Sequence, residues 1–238
     1  MTGVLSRVWN DLVGTQPAPE FRLVLLTGVA ALVLVAVPGT WSIGRHVVTI
    51  AHEGAHAVAA VLSGRRLAGI RLHSDTSGLT VSRGRSSGPG MVVTAFAGYP
   101  GPALAGLGAA FLLSERHALA ALWLAVLLLA LLLVQIRNFY GLYAVGVAGI
   151  AVGAVSWWAA EEVQVATAYV GTWFLLIAAP RAVLELQGHR RRSRSRTSDA
   201  DVLARLTRVP ALVWVGSFLL LTLGCLVLGG RWLLLPAT

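Results

Sequence analysis

Long apolar runs recur along almost the whole of this 238-residue chain, and they restrict its fold more than any other feature. Hydrophobic residues make up 56% of the sequence and charged residues only 12%, and the runs approach the roughly 20 apolar residues that a helix needs to cross a bilayer. Inside a bilayer the backbone must satisfy its own hydrogen bonds, which favours helices. The sequence therefore predicts an all-α polytopic membrane protein.

We expect about seven transmembrane helices within a single domain that covers residues 1–238. No cleavable signal peptide is expected, because the first apolar run starts late and is long enough to span. The predicted spans lie at about 21–43, 46–63, 90–113, 118–136, 139–158, 163–180 and 211–228.

A short β-hairpin is predicted at 67–85, directly after the second span. Apolar and polar residues alternate around Ile70 and Leu72 and again around Leu79 and Val81. The turn-forming sequence 75–78, Asp-Thr-Ser-Gly, separates these two stretches.

The distribution of arginine predicts the orientation. With seven spans and a cytoplasmic N-terminus, every arginine except Arg45, Arg116 and Arg231 falls on the cytoplasmic side. The C-terminus then lies outside, and residues 181–208 form a basic cytoplasmic loop. All 19 basic residues are arginine, which indicates the codon bias of a GC-rich bacterial genome.

The net charge of +9 does not indicate a nucleic-acid partner. The arginines of 189–208 adjoin predicted spans and have no aromatic residues between them for base stacking. Attraction to anionic lipid headgroups and control of topology account for these arginines. The single cysteine, Cys225, excludes a disulfide framework.

The sequence His-Glu-Gly-Ala-His at 52–56 is the strongest indication of chemistry. Residues i and i+4 are neighbours on a helix, so His52 and His56 can both bind one Zn²⁺ ion. Glu53 then lies beside the metal as a general base for hydrolysis by a zinc-activated water. Ionisable residues inside a membrane span are costly, about 2.5–3.5 kcal/mol for a central charge, so their presence calls for a functional reason.

The segment 52–80, HEGAHAVAAVLSGRRLAGIRLHSDTSGLT, resembles the site-2 protease family of intramembrane zinc metallopeptidases, most closely its small bacterial and plant branch. Weaker similarities lie at 97–102 (AGYPGP), 137–141 (RNFYG) and 198–201 (SDAD). The resemblance implies cleavage of transmembrane or membrane-adjacent substrates, with His52 and His56 as ligands and Glu53 as base. It also implies that an extended substrate strand can pair with the hairpin edge.

A third metal ligand is not evident, because no Asp or Glu lies inside a predicted span after Glu53. Family members usually supply an Asp from a later membrane segment, and this chain must supply it from a segment end or a loop. We favour Asp201, with Asp199 as the alternative, although both also fit the first turn of an ordinary helix capped by Ser198. Further candidates are Glu185, His73, Asp75 and Asn138.

The predicted function is therefore intramembrane zinc proteolysis in the cell membrane. The alternative is a catalytically inactive, protease-like protein that acts as a binding or regulatory module. A transporter is disfavoured, because the sequence shows no inverted repeat and no second intramembrane charge.

Overall fold

The computed structural model describes residues 2–192 and 196–235 of the chain. Twelve elements follow one another in this part: α1 (Thr2–Val13), α2 (Phe21–Ala36), α3 (Pro38–Leu62), β1 (Arg66–Leu72), β2 (Gly78–Arg83), α4 (Pro89–Ala97), α5 (Pro100–Ser114), α6 (Ala118–Gln135), α7 (Phe139–Trp158), α8 (Glu161–Arg192), α9 (Asp199–Thr207) and α10 (Ala211–Leu234).

Between four and six of the described segments have the length and composition of a membrane span. Helices α6, α7, α8 and α10 qualify individually. The pairs α2/α3 and α4/α5 qualify as pairs, bent by 98° and 69°. The polytopic helical fold is confirmed, but the predicted seven spans reduce to at most six, because the first two predicted spans are the arms of one bent pair.

The bend between α2 and α3 lies at Val37, whereas the sequence predicted a break near residues 44–45. Pro38 occupies the first turn of α3, where its missing N–H costs no intrahelical hydrogen bond. The same proline prevents α2 from continuing as one straight helix into α3. Gly44 does not interrupt α3. A Cβ there would lie 3.0 Å from the Phe174 ring, so this glycine permits close packing on α8.

Two further boundaries differ from the prediction. The third predicted span is divided into α4 and α5, and Pro100 begins the second part. The basic segment 181–208 is largely helical rather than a loop, since α8 continues to Arg192 and α9 follows at Asp199. Residues 193–195, with Arg194, lie outside the described residues.

The N-terminal segment packs against the ends of α6 and α7. The Arg7 guanidinium donates to the carbonyl of Trp157 at 2.7 Å. The backbone N–H of Gln16 donates to the carbonyl of Arg116 at 2.9 Å. The sequence had placed Arg116 on the opposite side of the membrane from the N-terminus, whereas the structure brings Arg116 into contact with Gln16 of the N-terminal segment. Counting the bent pair α2/α3 as one span accounts for the two segments lying at the same end of the bundle.

The largest buried cluster joins residues of α2, α3, α5, α6, α8 and α10. Small residues allow these helices to approach closely: a Cβ on Gly106 or on Gly229 would lie 3.1 Å or 2.8 Å from the Leu176 side chain of α8. Helix α8 is therefore the central scaffold on which the other helices pack.

The predicted hairpin is confirmed as β1 paired antiparallel with β2. The outer edge of β1 is covered by the connection between α6 and α7. The Arg137 amide donates to the Ile70 carbonyl at 2.8 Å, and the Asn138 side chain both accepts from the Leu72 amide and donates to the Leu72 carbonyl. Within the described residues, β2 has no strand neighbour besides β1.

Candidate metal centre

The two histidines of the motif lie on one face of α3, as the spacing predicted. Their Nε2 atoms are 3.1 Å apart, and the two rings meet edge to face. His56 is buried, and His52 is partly buried. Two imidazole nitrogens therefore converge on one point inside the protein.

Asp199, the first residue of α9, brings a carboxylate to the same point. Its Oδ2 atom lies 3.1 Å from Nε2 of His52 and 3.3 Å from Nε2 of His56. Burial alone would raise the pKa of the Asp199 carboxyl, but its hydrogen bonds and charge interactions with the two histidines outweigh burial and lower it. A group of three potential metal ligands is thus assembled from α3 and α9.

The spacing of these three atoms fits a zinc ion. A tetrahedral site with bonds of about 2.0–2.1 Å has ligand atoms about 3.3 Å apart. The observed separations of 3.1–3.3 Å agree with that value. Two histidines and one carboxylate also leave a fourth position open, as in catalytic zinc sites.

The orientation of His56 is fixed by α4. Its Nδ1 atom lies 2.7 Å from the Thr94 carbonyl oxygen, which can only accept a hydrogen bond. Nδ1 therefore carries the proton that it donates, and Nε2 is the ring nitrogen that faces the site. Such hydrogen bonds are typical partners of metal-binding histidines.

The junction of α4 and α5 lies directly against the two imidazoles. A Cβ on Gly98 would be 2.4 Å from Nε2 of His56 and 2.6 Å from Nε2 of His52. The Tyr99 ring meets the His52 ring edge to face, with centroids 4.8 Å apart. Only glycine at position 98 leaves room beside the nitrogens that would bind the metal.

Glu53 is buried and lies against the hairpin. The Thr80 hydroxyl donates to its Oε2 atom at 2.6 Å. Gly78 is the second contact, since a Cβ there would be 2.5 Å from Oε1. Strand β2 therefore determines the position of the carboxylate that the motif predicted as the base.

Asp201, the residue favoured from sequence as third ligand, points elsewhere. It is buried and accepts hydrogen bonds from Arg190 at 2.8 Å and from Ser198. Burial alone would raise the pKa of the Asp201 carboxyl, but the bonds from Arg190 and Ser198 outweigh it and lower the pKa. The structure thus brings Asp199 to the histidines and gives Asp201 an ion pair that connects α9 to the end of α8.

The other candidate ligands also have different partners. Glu185 binds Trp41, Arg45 and Arg181. Asp75 accepts hydrogen bonds from Ser77, which lower the pKa of its carboxyl, and the Ser77 hydroxyl also lies 3.3 Å from His73. Asn138 pairs with the β1 backbone.

Sequence reasoning missed three residues that shape this centre: Thr80, Thr94 and Gly98. The resemblance had pointed to the hairpin and to the stretch at 97–102, but neither pattern assigns a contact to an individual side chain. From the sequence, Gly98 could be interpreted only as one of several small residues that permit close helix packing.

The fold and this centre define a polytopic helical membrane protein with a metallopeptidase-like His-Glu-His helix. A family model described as Peptidase M50B-like matches residues 25–229, and the chain belongs to this family, within the site-2 proteases. The resemblance seen in the sequence is thereby confirmed. No curated protein and no solved structure matches the chain.

Proposed function

We propose that this protein is an intramembrane zinc metalloprotease that hydrolyses peptide bonds of membrane-embedded or membrane-adjacent substrates. The observation that carries the proposal is the approach of Asp199 to His52 and His56, which completes a set of three ligands. The alternative, an inactive binding or regulatory module, rested on the apparent lack of a third ligand. Because Asp199 lies within reach of both histidines, proteolysis explains this site better than an inactive binding or regulatory module does.

The residues divide into a metal-binding set and a base. His52, His56 and Asp199 would hold the ion. Zinc bound there would supply Lewis-acid polarisation and lower the pKa of a water molecule to about 7. Glu53 is the group that accepts a proton from the attacking water and delivers it to the leaving amine nitrogen.

Thr80 and Gly78 hold that base in one place. The Thr80 hydroxyl donates to Oε2, so this oxygen is oriented before substrate arrives. Gly78 allows the strand backbone to approach the carboxylate. A fixed carboxylate loses less entropy in the reaction than a free one.

The free edge of β2 is the proposed place for the substrate. An extended segment that pairs with β2 would lie next to the strand that contacts Glu53, because the edge of β1 is already covered by residues 136–138. Leu79 and Val81 are exposed on the outer face of β2 and offer apolar contacts to such a segment.

We further propose that the end of the bundle with the hairpin and α9 faces the cytoplasm of a bacterial cell. Most arginines lie at this end, as the positive-inside rule requires. Since the N-terminal segment packs at the other end, the N-terminus then lies outside. Compared with the orientation expected from seven spans, this assignment changes the side of the N-terminus only; the hairpin and the basic segment stay cytoplasmic and the C-terminus stays outside.

The test compares the wild type with Glu53→Gln, and with Glu162→Gln as a control for an exposed carboxylate on α8. Membrane fractions of cells that express each variant are analysed for new protein N-termini, and the zinc content of each purified protein is measured. We expect one zinc in all three proteins and loss of cleavage products in Glu53→Gln only. Identical product profiles for the wild type and Glu53→Gln would refute proteolysis.

A further inference from the structure

A charged cavity of about 440 Å³ lies between α3 and α8, and none of the metal-centre residues line it. Its lining differs from the apolar surfaces of the surrounding helices. Seven residues form it: Arg45, Arg181, Leu184, Glu185, Gly188, His189 and Arg192.

Glu185 organises two of the three arginines in this lining. Its carboxylate pairs with Nε of Arg45 and with Nε of Arg181, each at 3.4 Å. The same carboxylate accepts a hydrogen bond from the Trp41 indole at 2.6 Å, and the Arg181 guanidinium stacks 4.3 Å from the Trp41 ring. The two guanidinium groups are therefore held in place before any ligand binds.

The lining keeps an excess of positive charge. Three arginines face one glutamate, so the net charge is three minus one, or +2, before His189 is considered. Both ion pairs to Glu185 are made through Nε. The terminal Nη atoms form the planar fork with which arginine binds phosphate oxygens in pairs.

The position along α8 indicates a membrane interface. Arg181 lies about 30 Å along the helix from Glu161 at 1.5 Å per residue, which is the thickness of the hydrocarbon core. Glu161 begins α8 at one end of the bundle, so Arg181 is at the depth of the headgroups on the other side. Leu184, 60% exposed, lines the cavity and offers an apolar contact for an acyl chain.

We infer that this cavity is a binding site for a phosphate group, carried by an anionic lipid headgroup or present as the free ion. The placement of Arg45, Arg181 and Arg192 around one pocket, with Arg181 at headgroup depth, is the juxtaposition that carries the inference. Basic pockets between helices near an interface bind lipid headgroups in this way. The site is independent of the proteolytic function.

The test uses native mass spectrometry of the full-length protein in detergent, with added phosphatidylglycerol, phosphatidylcholine or inorganic phosphate. The variant is Arg192→Gln, and the matched control is Arg191→Gln, an exposed neighbour that does not line the cavity. Circular dichroism and zinc content verify that both variants fold. A second variant, Arg45→Gln, removes a different guanidinium from the same lining.

We expect phosphatidylglycerol to bind more tightly than phosphatidylcholine, and Arg192→Gln and Arg45→Gln to weaken it about tenfold, as loss of a charged hydrogen bond predicts. Arg191→Gln should change it less than about twofold, as a screened surface charge. Binding of inorganic phosphate with the same dependence on Arg192 supports the site with the free ion as ligand. Equal effects of Arg191→Gln and Arg192→Gln, or no preference for phosphatidylglycerol and no phosphate binding, would overturn the inference.

Discussion

Replacing Gly98 with alanine adds one methyl group at the point where the chain passes the two imidazoles. The added Cβ would lie 2.4 Å from Nε2 of His56 and 2.6 Å from Nε2 of His52. An ordinary contact requires about 3.4 Å or more, so the rings or the α4–α5 junction must move by about 1 Å. The methyl group thus disturbs the two atoms that are proposed to bind zinc.

The displacement is large on the scale of metal coordination. Zinc sites hold their bond lengths to within about 0.2 Å, and changes in the outer shell alone cost about 10–100-fold in affinity. We therefore expect Gly98→Ala to lower zinc affinity at least about 100-fold. The backbone does not oppose the change, because Gly98 has φ −57° and ψ −62°, a conformation that alanine adopts readily.

The assay is competition for zinc with a chromophoric chelator, with Gly108→Ala as the control. A Cβ on Gly108 of α5 would meet nothing within 4 Å. We expect Gly108→Ala to bind zinc like the wild type, and both variants to keep their helical circular dichroism. Wild-type zinc affinity in Gly98→Ala would refute the placement of the metal between these histidines.

Three further experiments test the parts that support the centre. Arg190→Asp alone or Asp201→Arg alone should lower zinc affinity at least about tenfold, because each leaves a partly buried charge unpaired at a cost of about 3–5 kcal/mol. The double exchange restores the ion pair and should recover much of the zinc affinity. Competition with a chelator measures the affinity of all three proteins. Thr80→Val should leave zinc content unchanged and lower kcat about tenfold, because Glu53 loses the hydrogen bond that orients it, and a steady-state assay separates kcat from KM. Asn138→Ala should reduce hydrogen-exchange protection of β1 while zinc binding persists, because two hydrogen bonds to the strand are lost.

The parts of the structure that depend on neighbouring residues could be predicted from sequence. The pairing of His52 with His56 follows from the helical repeat, and the hairpin follows from alternation around a turn. Each of these patterns lies within a short stretch of the chain. Both were present in the structure as expected.

The choice between Asp199 and Asp201 could not be predicted in this way. Both residues lie in the first turn of α9, and positions two apart point about 200° away from each other, so only one of them faces the histidines. Arg190 decides the choice by pairing with Asp201. That contact joins separate helices, and no local pattern reports it.

The predicted number of membrane spans was too high for a related reason. A break between two apolar stretches was expected at Gly44 and Arg45, but Gly44 packs on Phe174 of α8 and the helix continues. The residue that ends α2 is Val37, ahead of Pro38. Whether a glycine breaks a helix or permits its packing depends on the neighbouring helix.

Zinc K-edge X-ray absorption of the purified wild type and of Asp199→Asn is the most direct test of the central claim. For the wild type we predict one zinc per chain, with two imidazole nitrogens and carboxylate or water oxygens at about 2.0–2.2 Å. Asp199→Asn should lose most of the zinc or lose the carboxylate contribution from the spectrum. A wild type without zinc, or an unchanged spectrum and zinc content in Asp199→Asn, would contradict a centre built from His52, His56 and Asp199.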